Sequence, residues 1–182
     1  NNQSTTVTST NFNLFIYYQR LNSGTGYFFG ARDGTQIWRF DPAGGAWADS
    51  HQALTYTQIG QGIVHSKDDV MYIPYYNNGG FIASNNNGSW STTALTLPVH
   101  YIPTSICEYG NDLAIACVPT SGVGNSRVYL WDRNSSLTTL SESIDWGTGS
   151  LIIIEEVEDR ETISRIAVKL RQLGSEFLNV KQ

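Results

Sequence analysis

One shape recurs along this chain. A short strand of apolar and aromatic residues ends in a cluster of Asp, Asn, Gly or Pro. It is seen in QIWRFDPAGGAW (36–47), GFIASNNNGSW (80–90) and VYLWDRNSSL (128–137). Two independent markers give its period. The apolar centres of the strand that opens each unit are Phe15, Ile63, Ile106 and Leu151, spaced 48, 43 and 45 apart. The residues that follow the recurring turn are Trp47, Trp90 and Leu137, spaced 43 and 47 apart. A repeat limits the fold sharply, because each unit must bury its apolar face on the next. Units of about 40–50 residues are the size of four-stranded β-propeller blades.

Each unit divides into four strands. The second reads GIVHS (62–66), VMYIPYY (70–76), GFIAS (80–84) and SWSTTALTL (89–97). The third reads SICEY (105–109), DLAIACVP (112–119), RVYLWD (127–132) and LTTLSESI (137–144). The first is looser: NLFIYYQ (13–19), GYFFGA (26–31), QIWRFD (36–41) and AWADSHQALTY (46–56). Between strands lie KDD, NNGG and NNNG, residues that tolerate the left-handed backbone of tight hairpins. Only 15% of the chain is charged, and Ser, Thr, Asn and Gly take the place of charges. That exchange favours strands with polar turns over charged helices.

The fourth unit is ambiguous. ETISRIAVKLRQLG (161–174) carries apolar residues at helical spacing (Ile163, Ile166, Leu170, Leu173) and at strand spacing (Ile166, Val168, Leu170). The repeat favours strands at SLIIIEE (150–156), ISRIAVKL (163–170) and EFLNVK (176–181); the alternative is a C-terminal helix. This unit is one strand short, and STTVTST (4–10) is one strand over at the other end. The expected fold is all-β: a single β-propeller-like domain over 1–182, with about four four-stranded blades. Their approximate bounds are 12–57, 58–100, 101–146 and 147–182 plus 4–10. The N-terminal strand closes the ring beside 176–181, covering edges that would otherwise be exposed. The alternative is part of a larger propeller or assembly. The chain starts at Asn1 without Met or a signal peptide, which points to processing or to a piece of a longer protein.

Several function classes are disfavoured. A net charge of −5 and a pI near 5.0 give no attraction for a phosphate backbone, so nucleic acid is not an expected partner. The longest obvious apolar run, LIII (151–154), is too short for membrane insertion. His51, His65 and His100 show no metal-ligand spacing, and no metal or cofactor is expected. No G-x-S-x-G, phosphate loop or G-x-G-x-x-G occurs. EEVEDRE (155–161) reads as a solvated hairpin tip; paired glycosidase carboxylates are the sharper but weaker reading. The expectation is therefore no enzyme. Cys107 and Cys117 flank a turn at Gly110-Asn111 that pairs Cys107 with a residue near Ala114. They read as two buried thiols.

The candidate ligand-binding residues sit around the recurring turns: Trp38, Asp41, Trp47, Asn86, Trp90, Trp131 and Asp132. Indole faces beside Asn and Asp suit a sugar, whose ring stacks while its hydroxyls hydrogen-bond. The competing roles are packing between blades for the aromatics and turn capping for Asp41, Asn86 and Asp132. IGQG (59–62) and WGTG (146–149) read as links between units, with Trp146 packed between blades.

SNNNGSW (84–90) resembles the Asp-box hairpin of sialidases and other propellers, with Asn86 in place of the Asp and the Trp one residue early. In those proteins the motif folds a blade and performs no catalysis. VYLWDRNSSLTTLSESIDWGTGSLIIIEEVEDR (128–160) resembles propeller-type repeats of bacteriophage virion and tail proteins, and GIVHSKDDVMYIPYYNNGGFI (62–82) has the same character. FIYYQ with a downstream Trp is faintly similar to fungal fucose-binding lectins, whose spacing differs. WD-repeat proteins are a poorer match, since the dipeptide is complete only at Trp131-Asp132 and no Gly-His precedes it. The phage resemblance implies a structural or host-attachment module in a virion, assembled with other virion proteins in an oligomer. The alternative is a secreted, soluble carbohydrate-binding propeller whose partner is a cell-surface glycan.

Overall fold

A computed structural model describes residues 14–19, 26–32, 34–120 and 124–144. STTVTST (4–10), WGTG (146–149) and the fourth unit lie outside the described residues. Thirteen strands and no helix occur among those described. They form three antiparallel sheets, none closed into a barrel. The chain divides into two compact units, Asn1–Val99 and His100–Gln182.

Sheet 1 is a meander of β1 (Phe15–Tyr18), β2 (Tyr27–Arg32), β3 (Gln36–Asp41) and β4 (Ala46–Ala53), in that order. Sheet 2 holds β5 (Gln58–Ile59), β6 (Ile63–Val64), β7 (Met71–Tyr76), β8 (Gly80–Asn86) and β9 (Ser89–Thr96). Sheet 3, in the second unit, is the meander β10 (Tyr101–Tyr109), β11 (Asp112–Pro119), β12 (Ser126–Trp131) and β13 (Leu137–Ile144). The repeat read from the sequence is thus a structural repeat over its first three units. Equivalent residues meet across the third hairpin of each sheet: Phe40 with Trp47, Asn85 with Trp90, and Trp131 with Leu137.

The first strands of sheets 2 and 3 depart most from the sequence reading: β10 begins at Tyr101, four residues before SICEY (105–109), and the first strand of sheet 2 is divided. GIVHS (62–66) is not a continuous first strand. Its place is shared by β5 and β6, which pair with successive stretches of β7. The cause is Pro74 in β7. Its carbonyl accepts from Gly60 N at 2.9 Å, so its nitrogen faces the same neighbour and has no hydrogen to donate. The ladder breaks there, and the chain bulges through Gly60-Gln61-Gly62. Gly62 allows this path, because a β-carbon on it would collide with the Tyr72 carbonyl oxygen and lie 3.3 Å from Ile73 Cα. The IGQG link therefore acts inside sheet 2.

Sheets 1 and 2 share one core. It gathers Leu14, Ile16, Tyr18, Phe29, Ala31 and Ile37 from the first sheet with Ile59, Met71, Ile73, Tyr75 and Ala83 from the second. Strand alternation selects these residues, since every second side chain of β1 turns inward: Ile16 and Tyr18 are buried, while Phe15 and Tyr17 are exposed. Polar contacts fix the pairing. Tyr18 Oη donates to the Asp69 carbonyl at 2.6 Å and accepts from Asn87 N at 3.1 Å. The Gln61 amide donates to the Phe15 carbonyl at 3.1 Å, and its oxygen accepts from Phe15 N at 3.4 Å, so a side chain continues the edge of β1. Replacing Tyr18 by Phe is expected to cost about 1–3 kcal/mol, since a main-chain donor and an acceptor both lose their partner. Chemical denaturation measures this, and an unchanged midpoint would refute the bridge.

Sheet 3 has two well-buried inner strands. Leu113 to Cys117 of β11 are buried on both faces, as are Val128 to Trp131 of β12. Cys107 pairs with Ala114, the register expected from the Gly110 turn, and both thiols are free and buried. Gly110 supplies the left-handed backbone of that turn, with φ of 62°. Burial drives the Cys117 thiol well above its ordinary pKa, which keeps it protonated and inert.

Candidate functional site

The third hairpin of each sheet holds most of the candidate residues, and its turns are built by side-chain capping. Asp41 Oδ1 accepts from Ala43 N at 2.9 Å while its carbonyl accepts from Gly45 N at 2.8 Å. Asp132 Oδ1 accepts from Asn134 N at 2.8 Å and Ser136 N at 3.0 Å. In sheet 2 the cap moves by one residue. Asn85, almost fully buried, accepts from Gly88 N at 2.6 Å, while Asn86 is exposed at the tip. Asn87 and Gly88 both have positive φ, 51° and 92°, as a two-residue hairpin with a mirror-image turn needs.

The hydrogen bonds from Asn134 and Ser136 hold the Asp132 carboxyl below its ordinary pKa. A lowered folded pKa means stability that is complete above the unfolded value, near 4, and is lost as pH falls through the lower folded value. Asp132→Asn keeps an accepting oxygen but removes the titration. The variant is expected to show a flatter stability-against-pH curve below about pH 4 than the parent. Two superimposable acid-unfolding curves would show that the cap carries no charge effect.

The candidate tryptophans have different surroundings. Trp131 is 2% exposed, and its indole N–H donates to the Asn134 carbonyl at 3.4 Å. Trp90 is half-buried and meets Phe29 of sheet 1 edge-on at 6.1 Å and His51 at 6.2 Å. Burial, and secondly the Arg39 charge, hold the His51 pKa below its usual value, so the ring packs as a neutral aromatic. Trp38 and Trp47 lie on the other face of sheet 1. Of the seven candidates, only this pair shares one surface of one sheet.

That surface is an aromatic row. Tyr17, Phe28, Phe40 and Trp47 stand in register, one from each strand. Ring centroids along the row are 5.0, 6.4 and 5.3 Å apart. Phe15 stacks on Phe28 at 5.3 Å and 15°. Opposite Phe15 the second strand has Gly30, and the missing side chain opens a groove of about 260 Å³ lined by Phe15, Phe28, Phe40 and Trp47. The edge of Trp47 overlies Gly30, 3.6 Å from where a β-carbon would stand. Its walls are almost wholly apolar.

Phe15, Phe28 and Phe40 were absent from the sequence-derived site. Their signal was present as period-two alternation in FIYY, YFFGAR and QIWRFD. Reading it needs the register, which places three separated phenylalanines side by side. A second cluster lies in the HSKDD turn. Asp68 accepts from the buried His65 Nδ1 at 3.0 Å, from Val70 N at 3.2 Å and from Tyr72 Oη at 3.2 Å. These bonds close the turn between β6 and β7. Among the described residues, no group of three or more His, Cys, Asp or Glu side chains is placed to hold a metal ion. Compared with protein-family models and with curated proteins, the chain matches neither a family model nor a curated sequence.

Proposed function

We propose that this chain is a non-enzymatic module of propeller-type repeats that serves as a structural or host-attachment component of a virion. The observation that carries the reading is the repetition itself. Three successive antiparallel sheets, of four, five and four strands, repeat the same third-hairpin pairing, and each has an Asp or Asn side chain capping its third turn. In the full arrangement a fourth blade comes from 147–182 plus 4–10, and the sheets stand around a common axis. The resemblance of 128–160 to phage virion and tail repeats supplies the virion setting, with other virion proteins as partners in an oligomeric assembly. Antibodies raised against the chain, applied to purified particles from its source, test this. Decoration of the particle in electron micrographs supports it; particles that lack the chain by peptide mass spectrometry rule it out.

The aromatic groove of sheet 1 favours a second reading, a carbohydrate-binding propeller that takes a cell-surface glycan on Phe15, Phe28, Phe40 and Trp47. Aromatic faces of this size stack on sugar rings. A glycan array with the whole chain decides: saturable binding of a defined sugar, lost in Trp47→Ala, supports it, and an array without signal removes it.

A further inference from the structure

We propose that Arg39, His51 and Trp90 form a binding site for a small oxyanion, a carboxylate or a phosphate, at the rim of the core shared by sheets 1 and 2. Two N–H donors mark it. Arg39 Nε and Trp90 Nε1 are both buried, and neither has a hydrogen-bond partner among the described residues. A buried donor without an acceptor is costly, and a half-buried cation without a counter-charge is more so. No carboxylate pairs with Arg39 among the described residues. Asp41, two positions along the same face of β3, is held in its turn, where Oδ1 accepts from Ala43 N at 2.9 Å. The Tyr27 ring, its centre 4.4 Å from Arg39 Cζ, attracts the charge, but Arg39 Nε is still left without an acceptor.

Phe29 gathers the group. Arg39 faces it in register across β2 and β3. His51 lies 5.5 Å from its ring centre and Trp90 6.1 Å, and His51 and Trp90 are 6.2 Å apart. All three side chains are only partly buried, so solvent and a small ligand reach the cluster. The chemistry of the group selects the occupant. A guanidinium and an indole N–H donate and never accept, and a neutral imidazole keeps one N–H to donate. The guanidinium fork matches two oxygens on one carbon or phosphorus, and its charge favours an anion over water. In a chain of net charge −5 no general attraction for anions exists, so binding reports this local cluster. Arg39 alternates along β3 with Trp38 and Phe40, which puts the site on the face of sheet 1 opposite the aromatic groove. It is therefore separate from the virion and glycan readings and goes beyond both.

The test titrates the full 182-residue chain, isotope-labelled for nuclear magnetic resonance, with sodium acetate and with sodium phosphate at neutral pH. Sodium chloride at matched ionic strength is the control. The readouts are the assigned N–H signals of Arg39 Nε and of the Trp90 indole, one of five in the chain. Both signals are expected to move along one saturable curve, half-complete at about 1 mM, which a few charge-assisted hydrogen bonds support. The indole signal of the buried Trp131 is expected to stay in place. Saturation with acetate alone assigns a carboxylate, with phosphate alone a phosphate, and with both an oxyanion of either kind; each supports the site. In Arg39→Gln the Trp90 response is expected to need about tenfold more anion. An unchanged curve in that variant would overturn the proposal. The unsubstituted chain decides on its own if the variant fails to fold. Shifts that chloride reproduces, shifts that rise linearly without saturating, or signals of Arg39 and Trp90 that stay still would each overturn it.

Discussion

Trp131→Ala is expected to destabilise the second unit by about 3–5 kcal/mol, the range for a large aromatic removed from a core. The side chain is 2% exposed and occupies the position that Phe40 and Asn85 hold in the other sheets. Its strand pairs with β11 on one side, where Leu113 faces it in register, and with β13 on the other, where Leu137 does. Its N–H bond to Asn134 ties the core to the turn that Asp132 caps. Truncation would leave a cavity between strands that are already buried on both faces, and such a sheet has little freedom to collapse into it. Urea denaturation followed by far-ultraviolet circular dichroism measures the loss. A change under about 0.5 kcal/mol, the usual range for a surface position, would return Trp131 to the list of ligand contacts.

Phe29→Ala is expected to cost a similar amount, about 3–5 kcal/mol, but in the first unit. Phe29 is 2% exposed and contacts Tyr18, His51 and Trp90, at centroid distances of 6.4, 5.5 and 6.1 Å. It is the ring through which sheet 1 meets Trp90 of sheet 2. The prediction is sharper when set beside its neighbour. Phe28 follows the same strand but faces the aromatic row, so the two substitutions separate the shared core from the groove. Denaturation of both alanine variants is the measurement. If Phe29→Ala left the stability within about 0.5 kcal/mol of the parent, the two sheets would not depend on that core.

The legible part of this protein is local. Strand alternation and turn residues located β3, β7, β9, β11 and β13 to within a residue or so, because period-two burial and Asn, Asp or Gly at positive φ are written in consecutive residues. The Cys107–Ala114 pairing followed from one Gly-containing turn for the same reason. Less legible was the split of the first strand of sheet 2. It depends on which side Pro74 presents its nitrogen to, and that is a property of the pairing. The shift of the cap from Asn86 to Asn85 has a similar origin: three consecutive asparagines are chemically alike, and only the hairpin register decides which one points at Gly88 N.

For the candidate site the division is sharper. The sequence alone determined that a strand ending in an Asp- or Asn-containing turn recurs with a period near 45. Tertiary structure alone decided which aromatics are core and which are surface. Trp131 and Trp90 face packed neighbours, while Trp47 joins Phe15, Phe28 and Phe40 across four strands and 33 positions of sequence. The physical reason is that burial depends on what lies beyond a sheet face. Alternation shows that two faces exist, but the choice of face to cover is made by packing between sheets, through contacts distant in the chain.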